Sequence, residues 1–159
     1  MFEGFSDQAR IWIYGFEKQL SENDIKIIKS QLDDFVFNWK SHKDTVKGDY
    51  IILKNRFVIL AAESSVSGCS IDSSVGVFRK LKDEFQLNAL NQDLVYYKDD
   101  SGISALSRDA FQRLVDEGKI NWDTTVYNFT PTMLGVLRAG QWELPFAQSW
   151  HGMVFKNSA

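Results

Sequence analysis

From Arg10 to Phe16 (RIWIYGF), Ile11 and Ile13 alternate with Trp12, Tyr14 and Phe16. A period of two in a β-branched and aromatic run predicts a strand. The period then changes: Ile25, Ile28, Leu32, Phe35 or Val36, and Trp39 recur at steps of three and four. That stripe predicts a long amphipathic helix over Glu22–Ser41. Ser21 stands at its N-cap position, and Glu22 and Asp24 fall in the first turn, where carboxylates suit the positive end of the helix dipole. Two β-rich runs, Tyr50–Leu53 and Arg56–Ala62, flank the short polar break Lys54-Asn55, which predicts a hairpin. A second helix is expected from near Ser70, with Ile71, Val75, Phe78, Leu81 and Phe85 along one face. Leu94–Lys98 (LVYYK) reads as the next strand.

The resulting order, β-α-β-β-α-β, is that of a split βαβ, ferredoxin-like α+β fold over residues 1–98, with one antiparallel sheet. Both helices are expected on the same face of that sheet, burying Ile25, Ile28, Leu32, Val75, Phe78 and Leu81. Residues 99–159 read as a small β/α annex packed on that core. Asp99-Asp100-Ser101-Gly102 has turn chemistry. Ser107 is placed to cap a helix over Arg108–Glu117, Gly118 to end it, and Thr124–Phe129 to form a strand. The remainder, punctuated by Pro131, Gly135, Gly140 and Pro145, reads as loop.

Composition narrows the function classes. The 159 residues are 44% hydrophobic and 25% charged, with a net charge of −3, which suits a folded chain with its own core. The one local basic run, Lys40, Lys43 and Lys47 around His42, is too sparse for a phosphate-binding surface, so no nucleic-acid partner is expected. The longest apolar stretches, such as Phe57–Ala62, are too short to span a bilayer. A single cysteine excludes an intramolecular disulfide, and the N-terminus has no basic segment leading into an apolar run. A cytoplasmic protein is therefore expected. Aromatic residues reach 14%, enough for a bulky core or for an exposed groove that takes a partner.

Several chemistries lack their residues. The Gly118-Lys119 pair is followed by Ile120 and has Arg113 where a P-loop needs its first glycine. With one Cys and two His, a zinc site is not expected, nor any other metal or cofactor. Adjacent acids such as Asp33-Asp34, Asp83-Glu84 and Asp99-Asp100 read as solvated faces.

One run carries more. Ser67-Gly68-Cys69-Ser70-Ile71-Asp72-Ser73-Ser74 is expected to lead from a loop into a helix N-terminus, where free N–H groups and the dipole collect positive potential. Three readings stand side by side. The small residues and Asp72 can simply cap the helix, with Cys69 packed and inert. The same groups can hold an anion or other ligand. Or the field can lower the Cys69 thiol pKa for covalent chemistry, with His151 as the distant base.

The segments ARIWIYGF, NRFVILAAE, SGCSIDSSV and QSWHGMVFK together resemble a family of short bacterial proteins. In that family SGCSIDSSV and a C-terminal SWH recur in the same order. Members often carry the label "ABC transporter ATPase", so the resemblance implies an association with such a transporter, although this sequence has no Walker motif. If the shared residues mark a site, it comprises Gly68, Cys69, Ser70, Asp72, Ser73, Ser74, Trp150 and His151. A second resemblance covers about 40 residues: YYKDDSG, then FQRLVDEGKI, then DTTVYNF. It is similar to the GYF-type peptide-binding modules, and implies a binding role. The leading expectation is a non-catalytic cytoplasmic protein that binds a protein partner or a small ligand. The alternatives are an enzyme using Cys69 at a helix N-terminus as nucleophile or thiol, and a component associated with an ABC transporter ATPase.

Overall fold

The computed structural model describes residues 1–41, 44–63 and 68–155; for residues 41 and 68–73 it describes the backbone alone. The first half of the chain forms β1 (Arg10–Gly15), α1 (Glu22–Asn38), β2 (Lys40–Ser41), β3 (Asp44–Thr45), β4 (Gly48–Leu53), β5 (Phe57–Ala62) and α2 (Gly68–Phe85). The second half forms β6 (Leu94–Asp99), β7 (Gly102–Ser107), α3 (Arg108–Asp116), β8 (Thr125–Tyr127), α4 (Leu134–Arg138), β9 (Glu143–Pro145) and α5 (His151–Val154). Two larger antiparallel sheets result, ordered β1-β5-β4 and β7-β6-β8-β9, beside the short β2–β3 pair. The chain divides into two compact units, one of residues 1–90 and 131–138, the other of residues 91–130 and 139–159.

In the first unit, β5 lies between two strands and is buried along its whole length, which its unbroken apolar run FVILAA requires. The β4–β5 turn places Lys54 and Asn55 in the left-handed region, at φ +56° and +51°, as a tight hairpin demands. Trp12 and Tyr14 pair with Leu60 and Val58, which pair in turn with Tyr50 and Ile52. These side chains pack with Ile28 and Leu32 of α1 and Phe78 and Leu81 of α2. Both helices therefore cover the same face of the sheet, as expected. Ile25 and Val75 are only half-buried.

The Ser21 hydroxyl accepts from the Asp24 N–H, and the Asp24 carboxylate accepts from the Ser21 N–H, a reciprocal box at the start of α1. The helix ends at Asn38, short of the expected Ser41, because Trp39 turns into extended backbone and packs with Val46 and Ala62.

The strand expected to close this sheet does not join it. Leu94–Asp99 pairs with Gly102–Ser107 over its full length and with β8 at Tyr97–Val126. The outer edge of β1 is met instead by the segment that leads into α4. The Ile11 N–H donates to the Thr132 carbonyl, Arg10 and Met133 form an isolated bridge, and the Leu134 N–H donates to the Ala9 carbonyl. A Cβ at Gly135 would lie 2.9 Å from Asp7 Cβ, so glycine lets this segment approach. The single sheet expected over residues 1–98 is therefore not formed, since β6 serves a second sheet.

In the second unit, α3 packs Phe111 and Val115 against Val95 and Tyr97 of β6 and Val126 of β8. The Ser107 hydroxyl accepts from the Ala110 N–H, and Gly118, at φ +75°, follows the helix end. The tail expected to be loop holds α4, β9, a 3-10 turn at Phe146–Gln148 and α5. Phe146 and Phe155 from this tail are buried in the same core.

Candidate functional site

The run singled out from sequence falls at the start of α2. The backbone is helical from Gly68 onward, but the side chains of Cys69, Ser70, Asp72 and Ser73 lie outside the described residues. Ser74 is fully buried and hydrogen-bonds the Tyr14 hydroxyl. Burial raises the Tyr14 pKa, the Ser74 bond opposing it in part, and the Tyr14 ring stacks on Phe78 at 3.7 Å. Ser74 thus serves the core.

Trp150 and His151 belong to the second unit, whereas Gly68–Ser74 belongs to the first. His151 is buried, its Nδ1 2.7 Å from Ser149 Oγ. Its ring stacks on Trp150 at 3.9 Å, and the Arg108 guanidinium lies 5.5 Å over the Trp150 ring. Burial, with the Arg108 charge adding to it, pulls the His151 pKa down to about 4. The imidazole is neutral at pH 7 and a weak base. Ser149 and His151 have the contact of a nucleophile–base pair, but no carboxylate orients the imidazole among the described residues, and both side chains are enclosed.

A more open feature lies in the first unit. Along α1, Gln31, Asp34, Phe35 and Asn38 recur at steps of three and four, so one helical face presents them together. With Trp39 and Lys40 just beyond the helix, and Gly76, Val77 and Lys80 on α2, they line a cleft of about 570 Å³. The Phe35 and Trp39 rings lie 4.8 Å apart, inclined at 41°, and form its aromatic wall. Asn38 Nδ2 donates to the Asp34 carbonyl at 2.9 Å and to Asp34 Oδ1 at 3.3 Å, tying that carboxylate to the last turn of α1. The Trp39 indole N–H is buried with no acceptor among the described residues.

Gly76 stands out. It sits in the middle of α2, where glycine costs about 1 kcal/mol relative to alanine. A Cβ built on it meets nothing within 4 Å, so neither close packing nor backbone conformation calls for glycine. What its missing side chain leaves open is the cleft. This position escaped the sequence reading because it lies off the apolar stripe of α2; a glycine inside a helical pattern was the available signal.

A smaller depression borders β4, where the Tyr50 hydroxyl donates to Asp33 Oδ1 at 2.6 Å. Burial, then the Asp33 bond and charge, raise the Tyr50 pKa. No cluster of three or more His, Cys, Asp or Glu side chains among the described residues could hold a metal ion, and no described helix is long and apolar enough to cross a membrane. No family model, curated protein or solved structure matches this chain.

Proposed function

We propose that this protein is a non-catalytic binding protein, and that the cleft between α1 and α2 is where it takes a small ligand. The observation that carries this reading is the cleft: about 570 Å³ falls within the roughly 300–1,000 Å³ of small-molecule sites. An aromatic wall beside a few amide and charged groups is the lining such sites use. The low basicity and enclosure of His151 weigh against the one nucleophile–base contact described, Ser149 with His151. We read the first unit as a split βαβ, ferredoxin-like arrangement without its closing strand, on the support of its element order and its same-face helices. A cytoplasmic setting is supported by the lone cysteine.

A thermal-shift screen of a broad panel of small metabolites tests the reading. Compounds that raise the melting temperature of the wild type and of Cys69→Ala, but not of a cleft-filling Gly76→Leu variant, are the expected result. If Gly76→Leu responds to every hit as the wild type does, the cleft is not the site. If Cys69→Ala abolishes the response while remaining folded, the chemistry at Cys69 takes precedence.

A further inference from the structure

We propose that β4 pairs edge to edge with β4 of a second copy of this chain, so that two molecules share one antiparallel sheet; the proposal stands apart from the binding reading above. In the first unit the outer edge of β1 is met by residues 132–134, while β4 is last in the order β1-β5-β4. The register settles which backbone groups of β4 are left over. The Glu63 N–H donates to the Lys47 carbonyl and the Arg56 N–H to the Leu53 carbonyl, so residues 47, 49, 51 and 53 turn toward β5. Gly48, Tyr50 and Ile52 therefore turn their N–H and C=O groups outward. The Tyr50 N–H donates to Asp49 Oδ1 at 2.8 Å, and no described strand takes the others. From Tyr50 to Leu53 this edge carries none of the Lys or Pro residues that discourage pairing.

The flanking helix says which strand fits. A depression of about 390 Å³ beside this edge is lined by Lys29 and Asp33 of α1 together with residues 49–52. The Tyr50 hydroxyl donates to Asp33 Oδ1 at 2.6 Å and lies 3.5 Å from the Lys29 carbonyl, so this stretch of α1 is level with Tyr50. Lys29 and Asp33 are exposed, and neither forms an ion pair among the described residues. A two-fold axis through Tyr50 runs α1 antiparallel beside its copy. Lys29 then faces the partner's Asp33, and Asp33 faces the partner's Lys29. Such self-complementarity is what a two-fold interface requires, and a strand from another protein gives no reason for it. Phe37, the next residue on that helical row and 85% exposed, comes under cover at the same contact. Pairing exchanges the Asp49 bond on the Tyr50 N–H for the carbonyl of the partner's Tyr50, so Asp49 opposes the dimer. Gln31, Asp34 and Asn38 lie on the α2 side of α1, and the cleft stays open.

Sedimentation velocity of the full chain over a wide range of concentration tests the proposal. The wild type should pass from monomer to dimer as concentration rises. Ile52→Pro removes an outward N–H at a position where an edge strand tolerates proline, and should abolish the dimer. Lys29→Asp sets like charges against each other on both sides of the axis and should weaken the dimer about tenfold. Adding Asp33→Lys to it should recover most of that loss. Asp49→Ala should tighten the dimer, which a loss of folding could not do. Because Lys29 is exposed, its variants cover the case in which Ile52→Pro fails to fold. A wild type that stays monomeric at the highest attainable concentration overturns the proposal and leaves the edge to a strand from another protein. A dimer indifferent to both Ile52→Pro and Lys29→Asp, or one that Asp49→Ala weakens, overturns it as well.

Discussion

The indole of Trp39 occupies the space that a side chain at position 48 would need. An ideal Cβ on Gly48 falls 2.5 Å from Trp39 Cε3 and 2.7 Å from Cζ3, with the Ala61 carbonyl at 3.3 Å. The start of β4 is thereby made to accept the residue that ends α1, and the aromatic wall of the cleft is set by that contact. Gly48→Ala should destabilise the protein by about 1–3 kcal/mol, the usual cost of overpacking a filled interior, measured as a lower urea midpoint. Because the indole must shift, the thermal response to compounds bound in the cleft should weaken as well. An unchanged midpoint would mean that the ring moves freely, and that its position is not fixed by β4.

Arg56 is a buried cation that donates to two backbone carbonyls. Its Nε donates to the Phe16 carbonyl at 2.9 Å and its Nη2 to the Glu17 carbonyl at 2.7 Å, fastening the β4–β5 turn to the end of β1. Arg56→Met keeps the apolar stem and strands both carbonyls, at a cost of about 2–4 kcal/mol in chemical denaturation. Arg56→Lys should recover only part, since a single ammonium cannot span two acceptors as a guanidinium fork does.

His151 ties stability to acidity. Its pKa of about 4 in the folded protein lies below the ordinary value near 6.5 that the unfolded chain would show. Between these values the unfolded chain binds a proton that the folded protein excludes. Its contribution is therefore complete above about pH 6.5 and is lost as pH falls toward 4, by up to about 3 kcal/mol. Denaturation curves at pH 7 and pH 4.5 should show this loss in the wild type and a smaller one in His151→Phe. A wild-type curve with equal stability at both values would remove the assignment.

Purified protein should not hydrolyse ATP with magnesium. Gly118-Lys119-Ile120 lacks both the first glycine and the hydroxyl of a phosphate-binding loop, and phosphoryl transfer needs phosphates and metal positioned together. Steady turnover lost through a point substitution in this chain would contradict that and would revive the transporter-ATPase association.

What residues near one another in sequence decide was legible before any coordinates. Ser21 with Asp24, Ser107 and Gly118 fix helix ends through hydrogen bonds and backbone conformation within four residues. The stripe Ile28–Leu32 and the turn Lys54-Asn55 likewise carry their own geometry. The same-face packing of α1 and α2 follows from that stripe and its counterpart at Phe78 and Leu81. The partner of Leu94–Asp99 did not follow, because LVYYK satisfies an alternating strand equally well beside β1 or beside Gly102–Ser107. Pairing is a contest between distant segments, and the short Asp99–Gly102 turn closes the nearer pair at less entropy cost. The cleft was invisible for a related reason. Gln31, Asp34 and Asn38 lie off the apolar stripe of α1 and Gly76 off that of α2, and only tertiary packing sets the two helices side by side and leaves the volume between them.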